Sequence, residues 1–309
     1  MILSYYKEGE NMTHIDSEKK KKKRIALQGE IGSFSEMAAL KYFGDQVEIL
    51  PCNHFRQVFK KVKEKEADYA ILPIENSQTG GINHVHDLLL HEDLYAIGEV
   101  MLRIEHCLIA LPGVEVQNIS TIYSHPQALS QCEQYLSDHF PSSQIIPVYD
   151  TAGSVKVIKQ SAQSNAAGIA SSRAAYYYGM NILKHGIEDN TSNTTRFLVF
   201  HPEIQLQRMT NKTSIIFAVF CVPGAIYKCL KEFALRNINL SRLESRPSKR
   251  KPWEYLFYLD FEEGLQKEQV QHALSALEKC TTFVKVIGTY YSDASILDEA
   301  KQYLKNINH

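Results

Sequence analysis

The chain has 309 residues, long enough for two or three domains rather than one small fold. Its 34 Lys and Arg offset 35 Asp and Glu, and the resulting net charge of -1 excludes a global field for nucleic acid or an anionic membrane. No apolar run reaches the ~18 residues of a spanning helix, and Met1 to Tyr6 is too short for a secretory leader, so a cytoplasmic protein with small-molecule partners is expected. The six cysteines (Cys52, Cys107, Cys132, Cys221, Cys229, Cys280) have neither a Cys-x-x-Cys pair nor metal-type spacing, so neither disulfides nor a metal site is expected.

Residues 1–23 are polar and end in a lysine run, Lys19 to Lys23, whose self-repulsion predicts a disordered basic arm. From Arg24 short apolar runs alternate with helical periodicity, the pattern of an α/β domain with largely parallel sheets. Ile25 to Leu27 reads as a strand, Gly29 to Gly32 as a turn, and Ser33 with Glu36 as a capping box opening a helix to about Phe43. A strand at Val47 to Leu50, a helix from His54 to Lys65 capped by Asn53, and a strand at Tyr69 to Leu72 follow. After a helix near Ile82 to Leu90, apolar stretches at Tyr95 to Met101 and His106 to Leu111 lead into a second lobe that runs to Tyr178, and the chain returns at Arg196 to Phe200. Residues 24–203 are therefore expected to form two α/β lobes hinged over a cleft. Beyond a polar linker, Gln205 to Asn211, residues 212–291 read as βαββαβ, a ferredoxin-like unit.

Four segments carry candidate chemistry. Pro73-Ile74-Glu75-Asn76-Ser77, with Gly80-Gly81, reads as a turn after an apolar strand, where amides and short polar groups converge on an anion. Ser124-His125-Pro126-Gln127 lies between strand and helix, with Gln131 one turn on, and either Ser124 or His125 suits the cap. Ala170-Ser171-Ser172-Arg173 repeats that geometry. Asn193-Thr194-Thr195-Arg196-Phe197 enters a strand with a hydroxyl beside a guanidinium. The absence of a Gly-x-Ser-x-Gly elbow argues against a covalent nucleophile, and the glycines from Gly29 lack the spacing of a dinucleotide fingerprint.

In their order, Gly29 to Glu36, Pro73 to Ser77, Ser124 to Leu129, Thr151-Ala152 and Asn193 to Phe197 resemble the prephenate dehydratase family. The C-terminal unit resembles its ACT regulatory domain through Pro223 to Ile226 and Glu244 to Pro247, departing from the family pattern at Ile226 and Tyr227. The resemblance implies a two-lobed catalytic domain like type II periplasmic binding proteins, with the active site in its cleft. It further implies that prephenate is decarboxylated and dehydrated there without a metal or other cofactor. It implies Thr195 as the main catalytic residue, with Glu75 and Asn76 beside it. Ser77, Ser124, Gln131, Thr151, Ser171, Arg196 and Phe197 are the expected substrate-binding set. The implied regulation is phenylalanine bound between ACT subunits at Gly224, Ala225, Ile226, Asn239, Leu240 and Glu244, Ser245, Arg246 and Pro247, in a homodimer or homotetramer. The stretches Leu88 to Leu90, Gly98 to Val100, His106 to Gly113 and Asp150 to Gly153 look more like plant-type arogenate dehydratases, which makes arogenate the alternative substrate. A non-catalytic amino-acid sensor is the reading from another class.

Overall fold

The computed structural model describes residues 22–204, 210–248 and 254–293, so the basic arm up to position 21 and the linker positions 205–209 lie outside the described residues. The chain opens with β1 (Lys23–Gln28), α1 (Phe34–Phe43), β2 (Val47–Cys52), α2 (Phe55–Lys63), β3 (Tyr69–Asn76) and the short β4 (Gly80–Gly81). β1 pairs in parallel with both β2 and β3, Ile25 lying opposite Ile49 and Tyr69. Its residues Ile25 to Leu27 are fully buried, as a strand covered on both faces requires.

Local chemistry adjusts three of the expected boundaries. The α1 cap is half of a capping box: Ser33 Oγ accepts from Glu36 N at 3.3 Å, but the Glu36 carboxylate reaches back to Gly32 N instead of Ser33 N. The next helix starts at Phe55 with His54 in the cap position and no side-chain cap bond, because Asn53 donates its backbone N–H to Gln57 Oε1 instead of capping. β3 extends four residues past Leu72, so Pro73 to Asn76 form strand rather than a turn. The reason is a hairpin in which Glu75 and Asn76 pair with Gly81 and Gly80.

The chain continues through α3 (Asn83–His91), β5 (Tyr95–Arg103), β6 (Cys107–Ala110), β7 (Thr121–Ser124), α4 (Pro126–Gln131), α5 (Glu133–His139), β8 (Gln144–Pro147), α6 (Thr151–Ser161), β9 (Ala166–Ala170), α7 (Ser172–Tyr178), β10 (Asn181–Lys184) and β11 (Thr194–His201). Within this stretch a second sheet has the order β10-β6-β9-β7-β8. It is parallel across β7, β8 and β9 but antiparallel at β6 and β10, so it is less uniformly parallel than the alternation predicts. Strand alternation divides its core. Leu108 and Ala110 pack with Cys132 and Leu136 on one face, whereas Cys107 and Ile109 pack with Ala152, Val155 and Ala174 on the other.

The remaining elements are β12 (Lys212–Val219), α8 (Ala225–Ala234), β13 (Leu240–Pro247), β14 (Tyr255–Phe261), α9 (Glu268–Cys280) and β15 (Thr281–Tyr290), the βαββαβ order the pattern predicts. β14 and β15 flank β12 and β13 pairs with β14, all antiparallel. Phe217, Leu259 and Phe261 bury one face of the sheet against Phe233 of α8 and Leu274 and Leu277 of α9.

Two compact units result, Lys23–His86 with Val100–Phe197, and Asp87–Glu99 with the described residues from Leu198 onward. The second unit therefore takes a segment that residues 24–203 were expected to hold. β5 pairs with β15 there, Ala96 opposite Gly288, and side chains add to it: Lys212 Nζ lies 2.8 Å from Glu99 Oε1, Lys285 Nζ donates to Glu92 O at 2.8 Å, and Arg246 lies 3.3 Å from Asp87. The Glu99 side chain is fully buried and Lys212 nearly so. Removing one partner of such a pair strands a charge in the interior at a cost of about 3–5 kcal/mol. Glu99→Ala is therefore expected to lower the stability of the protein by about that amount in denaturant titration, and Glu99→Leu with Lys212→Met to recover most of it.

Candidate active site

The first unit holds a cavity of about 810 Å³, within the roughly 300–1,000 Å³ of small-molecule sites. Its lining comes largely from helix starts: Ser33 and Phe34 at α1, Phe55 at α2, His84 at α3, Gln127 at α4 and Thr151 at α6. Helix N-termini carry unpaired N–H groups and partial positive charge, so a cavity ringed by them favours an anion without a lining Arg or Lys.

At its floor Asn76, the last residue of β3, meets Thr195, the second residue of β11. Asn76 Nδ2 donates to Thr195 Oγ1 at 2.9 Å and to Asn193 Oδ1 at 2.7 Å. The amide orientation is set on its other side, where Oδ1 accepts from Gln78 N at 3.0 Å and Thr79 N at 3.2 Å. Ser77 and Thr194 lock the strand ends together, Ser77 N donating to Thr194 O at 2.8 Å and Thr194 N to Ser77 Oγ at 3.0 Å. An NH₂ group can only donate, so Thr195 Oγ1 must accept there, and its own hydrogen is left to point elsewhere. Thr195 lines the cavity, which gives that hydrogen a ligand to meet.

Of the residues expected at the site, the cavity brings together Asn76, Gln131, Thr151, Thr195 and Phe197. Five others are not among its lining residues. Glu75 and Arg196 are the strand neighbours of Asn76 and Thr195, and successive strand residues point to opposite faces. They face each other instead, 3.8 Å apart. Ser77 is engaged in joining β3 to β11. Ser124 is fully buried and donates to Ile169 O at 2.6 Å, bracing β7 against β9. Ser171 caps α7 by accepting from Ala174 N at 3.1 Å and donates to Gly32 O at 2.5 Å. The α4 cap falls to His125, whose Nδ1 accepts from Gln127 N at 3.2 Å.

Sequence reasoning missed two features. His106 lines the cavity from just before β6, packed edge-to-face on Phe34, and its Nε2 lies 2.9 Å from Gln131 Oε1. Burial lowers its pKa, only partly offset by Gln131, so the imidazole is neutral. Its buried Nδ1 has no partner among the described residues, which places the single ring proton on Nε2. Gln131 Oε1 is thereby the acceptor, and the Gln131 NH₂ is directed away from His106 as a donor. The adjacent apolar strand and the Cys107 beside it hid this histidine in the sequence.

The second is a clasp between the two lobes of this unit. Asp150, the α6 cap, accepts from Gly153 N at 2.6 Å and from Glu30 N at 3.0 Å. Glu30 Oε1 accepts from Tyr149 OH at 2.6 Å and pairs with Lys156 at 2.9 Å. Burial pushes the Glu30 carboxyl up, but the Lys156 and Tyr149 bonds outweigh it and hold the pKa below the usual value. Burial raises that of Asp150 despite its two backbone donors. Arg173 pairs with the buried Glu36 at 2.7 Å. Gly32 sits between, at φ +90°, where an added Cβ would lie 2.6 Å from Ala174 Cα, so both backbone angle and space require glycine.

The prephenate dehydratase family model matches residues 25–205. A curated relative, arogenate dehydratase/prephenate dehydratase 1, chloroplastic, of Arabidopsis thaliana, is 41% identical over 288 residues, covering 88% of this chain and 73% of the relative. Among solved structures, one described as GqqA, a novel type of quorum quenching acylase, has a TM-score of 0.80 and 29% identity, covering 88% of this chain and 98% of the other. The prephenate dehydratase of Arthrobacter aurescens, described as a complex with L-Phe, has a TM-score of 0.79 and 27% identity, covering 92% and 99%. With the family model spanning more than half the chain and a relative this similar over most of both lengths, the chain belongs to the prephenate dehydratase family.

Proposed function

We propose that this chain converts prephenate to phenylpyruvate, carbon dioxide and water in phenylalanine biosynthesis, with Thr195 as the hydrogen-bond donor to the departing oxygen. The observation that carries the reading is the Asn76–Thr195 bond, which leaves the threonine hydrogen available to the cavity. As the ring carboxylate leaves as carbon dioxide, its bonding electron pair enters the ring. The para C–O bond breaks, and hydroxide departs to be protonated to water. Aromatisation supplies the driving force, so the protein has to position the ring, stabilise the leaving oxygen and hold two carboxylates. A donor fixed before reaction stabilises that developing charge without reorganisation. The converging helix starts and the Gln131 amide suit the carboxylates.

Arogenate is the second reading, and Asp150 favours it. It is the carboxylate among the described lining residues, and arogenate has an ammonium group where prephenate has a keto oxygen. Thr195→Ala is expected to lower kcat about 10²–10⁴-fold with an unchanged circular dichroism spectrum and melting temperature. Formation of phenylpyruvate from prephenate and of phenylalanine from arogenate, compared as kcat/KM, decides the substrate. Failure to release either product would refute the reading.

The same reading makes the βαββαβ unit an ACT domain that senses phenylalanine within a cytoplasmic homodimer or homotetramer. Gly224, at φ +76°, starts α8 and allows close backbone approach to Ala225 and Ile226. Asn239 is tied to Glu262 at 2.8 Å ahead of Leu240. Glu244 and Arg246 lie on one face of β13, paired with Arg242 and Asp87, while Ser245 and Pro247 are exposed on the other. A ligand held by all four therefore needs contacts from both faces of that strand, which suits a pocket completed by a second subunit. Calorimetric titration of the intact oligomer with phenylalanine is expected to give saturable binding, and a flat titration would remove the effector role.

A further inference from the structure

Outside the cavity lining, three side chains from two parts of the chain bring metal-type donor atoms together: Glu105 and Cys107 at the start of β6, and His185. Cys107 Sγ and Glu105 Oε1 lie 3.4 Å and 3.3 Å from the same atom, His185 Nδ1, and all three donor atoms are within 4.8 Å of one another. A neutral imidazole nitrogen offers one hydrogen or one lone pair, so Nδ1 cannot make a full hydrogen bond to both partners. One shared cation satisfies all three. Bond lengths of about 2.0–2.3 Å to a tetrahedral ion place neighbouring donors roughly 3.3–3.7 Å apart, which matches the two spacings to His185 Nδ1, while the Cys107–Glu105 pair lies within 4.8 Å.

The juxtaposition is fixed by backbone rather than by surface side chains. The antiparallel register Leu108↔Lys184 between β6 and β10 puts Cys107 opposite His185 at the next position. The turn beyond is held by Ile187 N donating to His106 O at 3.0 Å, and His106 N donates to Glu188 Oε2 at 2.9 Å. Burial, with Glu105 and Glu188 nearby, pushes the Cys107 thiol up to about 12, only partly offset by the Gly186 N–H that points at the sulfur, so a bound cation has to displace the thiol proton. Cys107 is fully buried while His185 and Glu105 are more exposed, so the site has a fixed sulfur floor and an opening for a water or fourth ligand. Glu105 Oε2 lies 4.0 Å from Arg103, leaving Oε1 as the coordinating oxygen.

We propose that Glu105, Cys107 and His185 form a binding site for a zinc-class divalent cation, separate from the catalytic cavity. A thiolate, an imidazole and a carboxylate together select Zn²⁺ over the hard, all-oxygen ions Mg²⁺ and Ca²⁺. Coordination forms the metal–sulfur bond and releases the thiol proton to solvent.

The test uses the full-length protein, freed of metal and kept reduced without a competing thiol. Zn²⁺ titration by calorimetry is expected to give one site of micromolar or tighter affinity, with Mg²⁺ silent. Co²⁺ is expected to give a thiolate-to-metal charge-transfer band that disappears in Cys107→Ser. His185→Ala, at an exposed position that leaves folding intact, is expected to weaken Zn²⁺ at least about tenfold, as loss of one ligand requires, while Cys221→Ser leaves binding unchanged. No saturable Zn²⁺ binding, or binding untouched by His185→Ala, would overturn the proposal. Turnover on prephenate or arogenate plays no part in the readout, so its outcome is independent of the proposed catalytic activity.

Discussion

The hydrogen bond from Asn76 Nδ2 to Thr195 Oγ1 is the constraint on which the candidate site depends. A threonine hydroxyl is a poor acid, and free to rotate it would give its hydrogen to whatever acceptor lay nearest. Here one of its lone pairs is occupied by a donor whose own orientation is fixed by two backbone N–H groups from the β3–β4 hairpin. The entropy of orienting the hydroxyl is met in folding rather than at the moment of reaction, which is the physical content of a preorganised donor. Everything that holds β3 beside the start of β11, including the Ser77–Thr194 exchange, serves that one bond.

A site for a dianionic substrate would be expected to use arginine. The cavity instead draws its lining from the starts of five helices and from neutral amides, while Arg196 lies off it beside Glu75. Backbone donors cannot swing away, and they leave no uncompensated cation in a partly buried cavity once the ligand has gone. The clasp is built as sparingly: Glu30, Tyr149, Asp150 and Lys156 join the lobes through a few charge-assisted bonds at the cavity rim. Gly32 lets the first lobe approach α7 closely enough for Ser171 to reach its carbonyl.

Much of this was legible in the sequence. The βαββαβ unit can be read closely because its helices show helical periodicity and its strands are short runs rich in β-branched and aromatic residues. The two-lobed α/β pattern and the convergence of Asn76, Gln131, Thr151, Thr195 and Phe197 were equally readable from motifs at strand and helix ends. What was not readable depends on geometry that one-dimensional spacing does not carry. Glu75 and Arg196 sit inside motifs, yet strand alternation turns them away from their neighbours. Ser124 and Ser171 look like ligand-binding hydroxyls but satisfy backbone carbonyls and a helix cap. The segment Asp87–Glu99 joins the second unit through the buried Lys212–Glu99 pair, whose partners are 113 residues apart. His106 meets Phe34 and Gln131 only in the folded chain, and the Glu105–Cys107–His185 cluster forms where β6 and β10 pair.

The most direct test of the central interaction is a cycle of Asn76→Asp, Thr195→Ala and the double variant, with kcat measured for each. Aspartate keeps the shape of asparagine but turns the donor into an acceptor, so the introduced carboxylate would capture the threonine hydrogen that is otherwise offered to the ligand. Strongly non-additive losses are expected, the double variant being no slower than Thr195→Ala alone, as for residues that act as a unit. If Asn76→Asp kept near-normal turnover, or if the two losses simply multiplied, the orientation of Thr195 by Asn76 would not be the basis of catalysis.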